Sequence, residues 1–296
     1  MKAGIDFGST LTKVAYLGLD GKYRLFSTSE DLWWSEDRWR SEADDESSPQ
    51  QQLRLNLKIG HVTGARATGI GKRWIYGIPL AEPQGDRIAD EIALQADGVK
   101  RLLAAQKTFL GERFLLVSVG TGTSYTLVSA VEAKRFPLGN PSGAGTVAGQ
   151  LSLIYPDGST DIKNLGELAS AGRTCDLLVK DVLESDKETP RGEFVVSHFA
   201  KAGGVPGSDQ RHDTSPEAVC GSFVSTLATS VVRDAWMIAQ IPEYGPFQEI
   251  VVIGTVISRT APLREQIIRA APMLGLRANC PENGEYAAAI GALHAA

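Results

Sequence analysis

Apolar and polar positions separate cleanly along the first sixteen residues. An apolar run at residues 3–5 meets Asp6, the polar stretch Phe7-Gly8-Ser9-Thr10 follows, and a second apolar run resumes after Lys13. The pattern predicts a β-hairpin with a glycine-containing turn. Residues 23–26 continue as a third strand, and residues 57–63 read as a further one. Over residues 86–106, Ile88, Ile92, Val99, Leu102 and Leu103 recur at helical spacing behind Asp86, a suitable N-cap. Residues 114–119 then predict a buried strand, residues 120–124 a small polar turn, and residues 125–128 a returning strand. The logic of the first sixteen residues therefore recurs. A third glycine-rich turn at residues 139–145 opens onto a short helix over 146–155. The middle section to about residue 215 reads as helical, with a polar excursion at 185–192. Residues 218–241 predict a long apolar helix, and residues 249–253 a strand apolar enough for the centre of a parallel sheet, ending at Gly254-Thr255. Residues 281–296 close with a small-residue helix.

Two strand-turn-strand openings imply two α/β domains of related design, 1–107 and 108–296, with the boundary near residues 107–112. Ligands in such sheets sit beyond the carboxyl ends of the strands, which places the polar turns at a cleft between the domains. One segment stands apart. Residues 29–52 are acidic and carry Trp33, Trp34 and Trp39 before a Ser/Pro/Gln stretch. They form an insert whose tryptophans cover the domain's own core or offer a partner surface.

Composition narrows the function. The chain has 296 residues, 43% of them hydrophobic, and a net charge of −5 with no long basic tract, which argues against nucleic acid as the main partner. No apolar stretch reaches the roughly 20 residues of a membrane helix. Asp6 and Lys13 interrupt any signal-peptide core. Cys175, Cys220 and Cys280 lie far apart, form no metal pattern or disulfide framework, and read as packing residues of a reduced, cytoplasmic protein.

The turns carry the candidate chemistry. An acid at a strand end can hold Mg²⁺, directly or through water, because hard cations want oxygen ligands. Gly8 permits a close backbone approach, the groups around Ser9 and Thr10 can face phosphate oxygens, and Lys13 adds a point charge. The alternation Gly120-Thr121-Gly122-Thr123-Ser124 presents N–H groups and hydroxyls to a phosphate chain without obstruction. The 139–145 turn can hold an anion at its helix start. No GxxxxGK[ST] motif occurs, so this is not a P-loop enzyme. Phosphoryl transfer to a hydroxyl also needs a base. His61, His198, His212 and His294 sit in contexts that suggest structural or solvated roles. Asp90 and Glu91 lie near a helix start, where either also compensates the macrodipole. The residues alone do not choose between them.

Six segments, GIDFGSTLTK, DEIALQADG, VSVGTGTSYTL, GNPSGAG, EIVVIGT and PENGEYAAAIGAL, resemble in order and spacing the type II pantothenate kinases, the "fumble" branch of the actin-like ATPase superfamily. The resemblance implies an α/β fold of two ribonuclease H-like (actin-like ATPase) domains with an interdomain nucleotide cleft, and a homodimer with its dimer helices in the C-terminal domain. It implies ATP- and Mg²⁺-dependent phosphorylation of pantothenate to 4'-phosphopantothenate, the first step of coenzyme A biosynthesis. It puts the catalytic glutamate on Glu91 and the metal on Asp6. Gly8, Ser9, Thr10 and Lys13 would contact phosphates, as would Gly120, Thr121, Gly122 and Thr123, and the stretch Gly143, Ala144, Gly145, Thr146, Val147 and Ala148. Gly254 and Thr255 would lie near the nucleotide, and Arg135 and Ser124 at the pantothenate. Ala144 interrupts what is usually a glycine run in this family. Three other functions draw on the same residues: a kinase for another small hydroxyl acceptor such as an amino sugar, a nucleotide-binding regulator of little turnover, and a dehydratase activator. The last needs paired cysteines for an iron–sulfur cluster, and the three present offer no such pair.

Overall fold

The computed structural model describes residues 2–8, 11–28, 64–69, 80–81, 87–108, 111–204 and 213–295. The Trp-rich insert, the strand expected at 57–63, the cap residue Asp86, and Ser9, Thr10, His61 and His212 lie outside the described residues.

The first sheet contains β1 (Lys2–Phe7), β2 (Thr12–Leu17), β3 (Tyr23–Thr28), β4 (Gly64–Gly69) and β5 (Leu80–Ala81) in the order β3-β2-β1-β4-β5. Neighbouring strands are antiparallel from β3 to β1 and parallel from β1 to β5. Helix α1 (Arg87–Ala105) matches the periodicity read at 86–106, and its Ile92, Leu94, Val99, Leu102 and Leu103 are buried.

Where helix meets helix and strand, backbones touch. A Cβ at Gly98 of α1 would overlap the carbonyl oxygen of Ala287, one at Gly4 of β1 that of Ala289, and one at Gly291 that of Leu94. Ala287, Ala289 and Gly291 belong to the last helix, Ala287–Ala295, which is buried all round from Ala287 to Leu293. A helix apolar on every side must be enclosed, and small residues let its neighbours close in.

The second sheet has strands β6 (Phe114–Val119), β7 (Thr123–Val128) and β8 (Ala133–Arg135), joined by two late strands. Between them in sequence come helices α2 (Ala144–Ile154) and α3 (Leu165–Ala169), a two-stranded antiparallel ribbon of β9 (Leu177–Leu178) and β10 (Val195–Ser197) enclosing α4 (Val179–Val182), and the long α5 (Pro216–Ala239). The late strands are β11 (Glu249–Ile253) and β12 (Arg277–Asn279), separated by α6 (Thr255–Arg259) and α7 (Ala261–Ala270); the final helix Ala287–Ala295 is α8. The sheet order is β12-β11-β6-β7-β8. Numbered within this half, that is the order of the first sheet, so the repeated opening motif reflects a repeated sheet. Ile250 to Ile253 are all buried, as a strand covered on both faces requires.

The middle section departs from the helical expectation. Residues 170–204 form short helices, the ribbon and 3₁₀ turns rather than long helices. Gly172 and Gly204 adopt positive φ and Pro190 opens a 3₁₀ turn, so the backbone is broken at short intervals. Helix α5 is well started, with Ser215 accepting from the N–H of Ala218 at 3.3 Å and Pro216 at its first position.

The chain divides into two compact units interleaved in sequence. One comprises Met1–Leu116, Thr126–Pro137 and Pro281–Ala296; the other, Val117–Tyr125 and Leu138–Cys280.

Candidate active site

In the first unit the site is built on one row of three strands. Asp6 is the register partner of Lys13 on β2 and of Thr68 on β4, so the three side chains stand abreast on one face of the sheet. Asp6 is buried, and burial pushes its carboxyl above the ordinary carboxylate range. Lys13, with Nζ 3.6 Å from Asp6 Oδ2, offsets part of that shift. Gly8 closes the turn by donating its N–H to the carbonyl of Leu11 at 3.1 Å, where a Cβ would come within 2.7 Å of the same oxygen.

The start of α1 brings two acids to this face, and their environments separate them. Asp90 forms an ion pair and hydrogen bond with Arg66 of β4. Glu91 is half-buried, and its carboxyl is raised, first by burial and then by the negative charge of Asp6. The positive charges of Arg135, at the end of β8, and of Lys13 act in the opposite direction. Burial and a neighbouring acid shift a carboxylate in the direction that a general base requires. The structure thus separates the two acids that sequence left equivalent: Asp90 is occupied by Arg66, and Glu91 lies within electrostatic reach of Asp6, Lys13 and Arg135. The other described histidines are engaged elsewhere, His198 with Asp176 at 3.2 Å and His294 with the Tyr23 hydroxyl at 2.8 Å.

The second unit holds the glycine turns, and they are fastened to each other. The N–H groups of Ala144 and Gly145, at the start of α2, donate to the carbonyls of Gly120 (2.8 Å) and Thr121 (3.0 Å). Thr123 and Asn140 exchange backbone hydrogen bonds of 2.8 and 2.9 Å, and the Thr123 hydroxyl donates to the carbonyl of Ser142 at 2.7 Å. A Cβ at Gly143 would sit 2.6 Å from the oxygen of Thr121 and 2.7 Å from Cα of Gly122, and one at Gly145 2.6 Å from Cγ2 of Thr121. Glycine at 143 and 145 is therefore needed for one turn to lie on the other. Several groups that the sequence suggested for phosphates instead join the turns, and Gly120 and Thr121 form the exposed edge. Thr146 follows the same rule, its hydroxyl donating to the carbonyl of Pro141 at 2.8 Å. Val147 is buried in α2, with Ala148 half-buried beside it, and Ser124 is half-buried at the base of the turn. Gly254 has φ +133°, and a Cβ there would overlap the carbonyl of Val119, so β11 closes on β6 just where Thr255 begins α6.

A supporting network under these turns was invisible to sequence. Asp234 of α5 accepts from the Tyr125 hydroxyl and from Nδ2 of Asn140, both at 2.7 Å, and pairs with Arg233 at 3.0 Å. Asn140 Oδ1 in turn accepts from the N–H of Ser142 at 2.8 Å. Burial and the Asp234 carboxylate push the Tyr125 phenol far above its ordinary range. No local motif marks an aspartate 94 residues from its partner.

No protein-family profile matches the chain. A type II pantothenate kinase of Oceanobacillus iheyensis is 26% identical over 298 residues, covering 99% of this chain and 98% of that protein. The chain resembles the type II pantothenate kinases. The resemblance carried by the six motifs thus extends along nearly the whole sequence. Among solved structures, the activator of the 2-hydroxyisocaproyl-CoA dehydratase from Clostridium difficile with bound ADPNP superposes with a TM-score of 0.54 at 15% identity, covering 99% of this chain and 92% of that one. A ROK family glucokinase from Streptomyces griseus in complex with glucose and AMPPNP gives 0.50 at 11% identity, covering 100% and 98%. These likenesses establish the fold, and it is the α/β, ribonuclease H-like (actin-like ATPase) fold expected from the sequence.

Proposed function

We propose that this protein phosphorylates pantothenate with ATP to give 4'-phosphopantothenate, the first step of coenzyme A biosynthesis. The observation that carries the proposal is the half-buried Glu91 at the start of α1, within electrostatic reach of Asp6, Lys13 and Arg135 in one unit. The near full-length similarity to a protein named type II pantothenate kinase supports pantothenate as the acceptor.

Each residue has a defined task in this reading. Glu91 accepts the proton of the acceptor hydroxyl as its oxygen attacks phosphorus. Arg135 binds the pantothenate carboxylate, for which a planar guanidinium has the matching fork, and Ser124 is assigned to the acceptor by the family resemblance. Lys13 and the backbone around Gly8 to Thr10 neutralise phosphate charge. In this reading the exposed Gly120–Thr121 edge contacts the phosphate chain, the start of α2 from Gly143 to Ala148 holds that edge in place, and Gly254 and Thr255 are assigned to the nucleotide. The division into residues 1–107 and 108–296 assigns metal and proton chemistry to the first part and the nucleotide turns to the second.

The residues present fit a divalent cation. Asp6 supplies a buried carboxylate, and Thr68 beside it has a buried hydroxyl with no hydrogen-bond partner among the described residues. These are hard oxygen donors, few in number, as suits Mg²⁺, which keeps several waters and relies on substrate phosphates for the rest of its shell. A cation held there would supply neutralisation of charge on the transferring phosphoryl group.

A dehydratase activator is a poorer reading. Such an activator needs paired cysteines for its cluster, and Cys175, Cys220 and Cys280 lie far apart in the sequence with no such pair. No helix among the described residues is long and apolar enough to cross a membrane; we also take the protein to be a cytoplasmic homodimer. Purified protein with Mg·ATP is expected to release ADP with pantothenate and not with glucose or amino sugars. The reading fails if pantothenate supports no turnover while a sugar does.

A further inference from the structure

We propose that the Thr68 hydroxyl is the second protein oxygen on the metal side of the site, holding with Asp6 the water shell of the divalent cation. The inference rests on the ATP·Mg²⁺ reading above. It starts from position. Thr68 and Asp6 are register partners on adjacent parallel strands and point to the same face. Arg66, two residues earlier on β4 and therefore on that face, reaches Asp90 of α1, so the Thr68 side chain looks toward the start of α1, where Glu91 lies.

Its chemistry is unfinished. Thr68 is only 5% exposed and its Oγ1 has no hydrogen-bond partner among the described residues. A buried hydroxyl is seldom left so, and the usual explanation is a water or ion bound there. The nearest acid does not use it, since Asp6 is paired with Lys13 at 3.6 Å and makes no bond to Thr68. Two buried oxygens side by side, unbonded to each other, leave a place for a third oxygen. A threonine hydroxyl both donates and accepts, so it suits a metal-bound water better than a bare phosphate, which only accepts. Mg²⁺ sheds its waters reluctantly and is held through them.

The experiment is Mn²⁺ titration followed by electron paramagnetic resonance, in the presence of ADP, which does not turn over. Wild type is compared with Thr68→Val, which keeps the shape and removes the hydroxyl, and with Thr68→Ser, which keeps the hydroxyl. Thr68→Val is expected to weaken Mn²⁺ binding about tenfold, the lower end of the loss seen when an outer-shell partner of a metal is removed. Thr68→Ser should stay within about twofold of wild type. Without metal or nucleotide, Thr68→Val should melt no lower than wild type, because an unpartnered polar atom has been replaced by a methyl group of like volume. The proposal is overturned if Thr68→Val binds Mn²⁺ as tightly as wild type, including the case in which only the KM for the acceptor rises. It is equally overturned if the metal-free valine variant melts well below wild type, since the hydroxyl then had a structural partner. Failure of wild type itself to bind Mn²⁺ with ADP removes the underlying reading along with this one.

Discussion

Glu91 and Arg135 make opposite demands on the same small volume. An ionised Glu91 is disfavoured by burial and by Asp6 and favoured by Arg135 and Lys13, with the balance on the raised side. A carboxyl whose pKa is higher folded than unfolded contributes stability in its protonated form. That contribution is complete below the ordinary glutamate value of about 4.3 and is lost as pH rises through the higher folded value. In metal-free protein, Glu91→Gln should therefore melt higher than wild type at neutral pH and equal it at acid pH. Melting curves across that range in a chelator provide the check, and a lower neutral-pH Tm for the glutamine variant contradicts the reading. The same variant should lose about 10²- to 10⁴-fold in kcat, the usual contribution of a general base, with KM for pantothenate little changed. Arg135→Ala should do the reverse, raising that KM about tenfold or more and lowering kcat less, since truncating a charge-assisted contact removes about 1.5–3 kcal/mol of binding. Initial rates over a pantothenate series separate the two outcomes.

At the scale of elements, the glycines divide into those that sequence explains and those that only packing explains. The Gly8 turn and the strand pairs around it follow from alternating apolar and polar positions. So do α1, β6 and β11, whose apolar patterns are continuous and local. The mutual fastening of the turns at 120–123 and 143–145 does not follow, because it depends on carbonyls and N–H groups that every residue possesses. Nor does the Asp234 network, whose members are brought together by tertiary packing alone. The ribbon of β9 and β10 was hidden for a related reason: its strands are two and three residues long, too short for a period to show. Gly143→Ala tests the turn pairing directly. Its methyl must part the two turns, at about 1–3 kcal/mol, typical of an overfilled site. The expected result is a lower Tm and loss of the further rise in Tm that ATP gives wild type. Ala144 differs from its glycine neighbours: its methyl is half-exposed while its N–H bonds to Gly120, so the turn pairing tolerates it.

For the molecule as a whole, two sheets share one strand order, yet the acid stands in only one of them. Asp6 is the penultimate residue of the first strand of its sheet, where β6 has Ser118 before Val119 and Gly120. In the proposed function the repeated frame carries different residues for acceptor and nucleotide, and each ligand should stabilise the protein on its own. Pantothenate and ATP are each expected to raise Tm, and Arg135→Ala should abolish the first rise while keeping the second.

The interleaving of the units also bears on the order of events during synthesis. β1 leaves the ribosome long before α8, against which Gly4 lies with no room for a side chain. Domains generally fold in the order they are made; here the N-terminal sheet has to wait, its apolar face uncovered, until the helix at 287–295 arrives. Nascent chains stalled before residue 281 should leave that sheet open to protease while the segment 138–280 already resists it. Chaperone demand would then be set by how long the rest of the chain takes to translate, and not by any step at the active site.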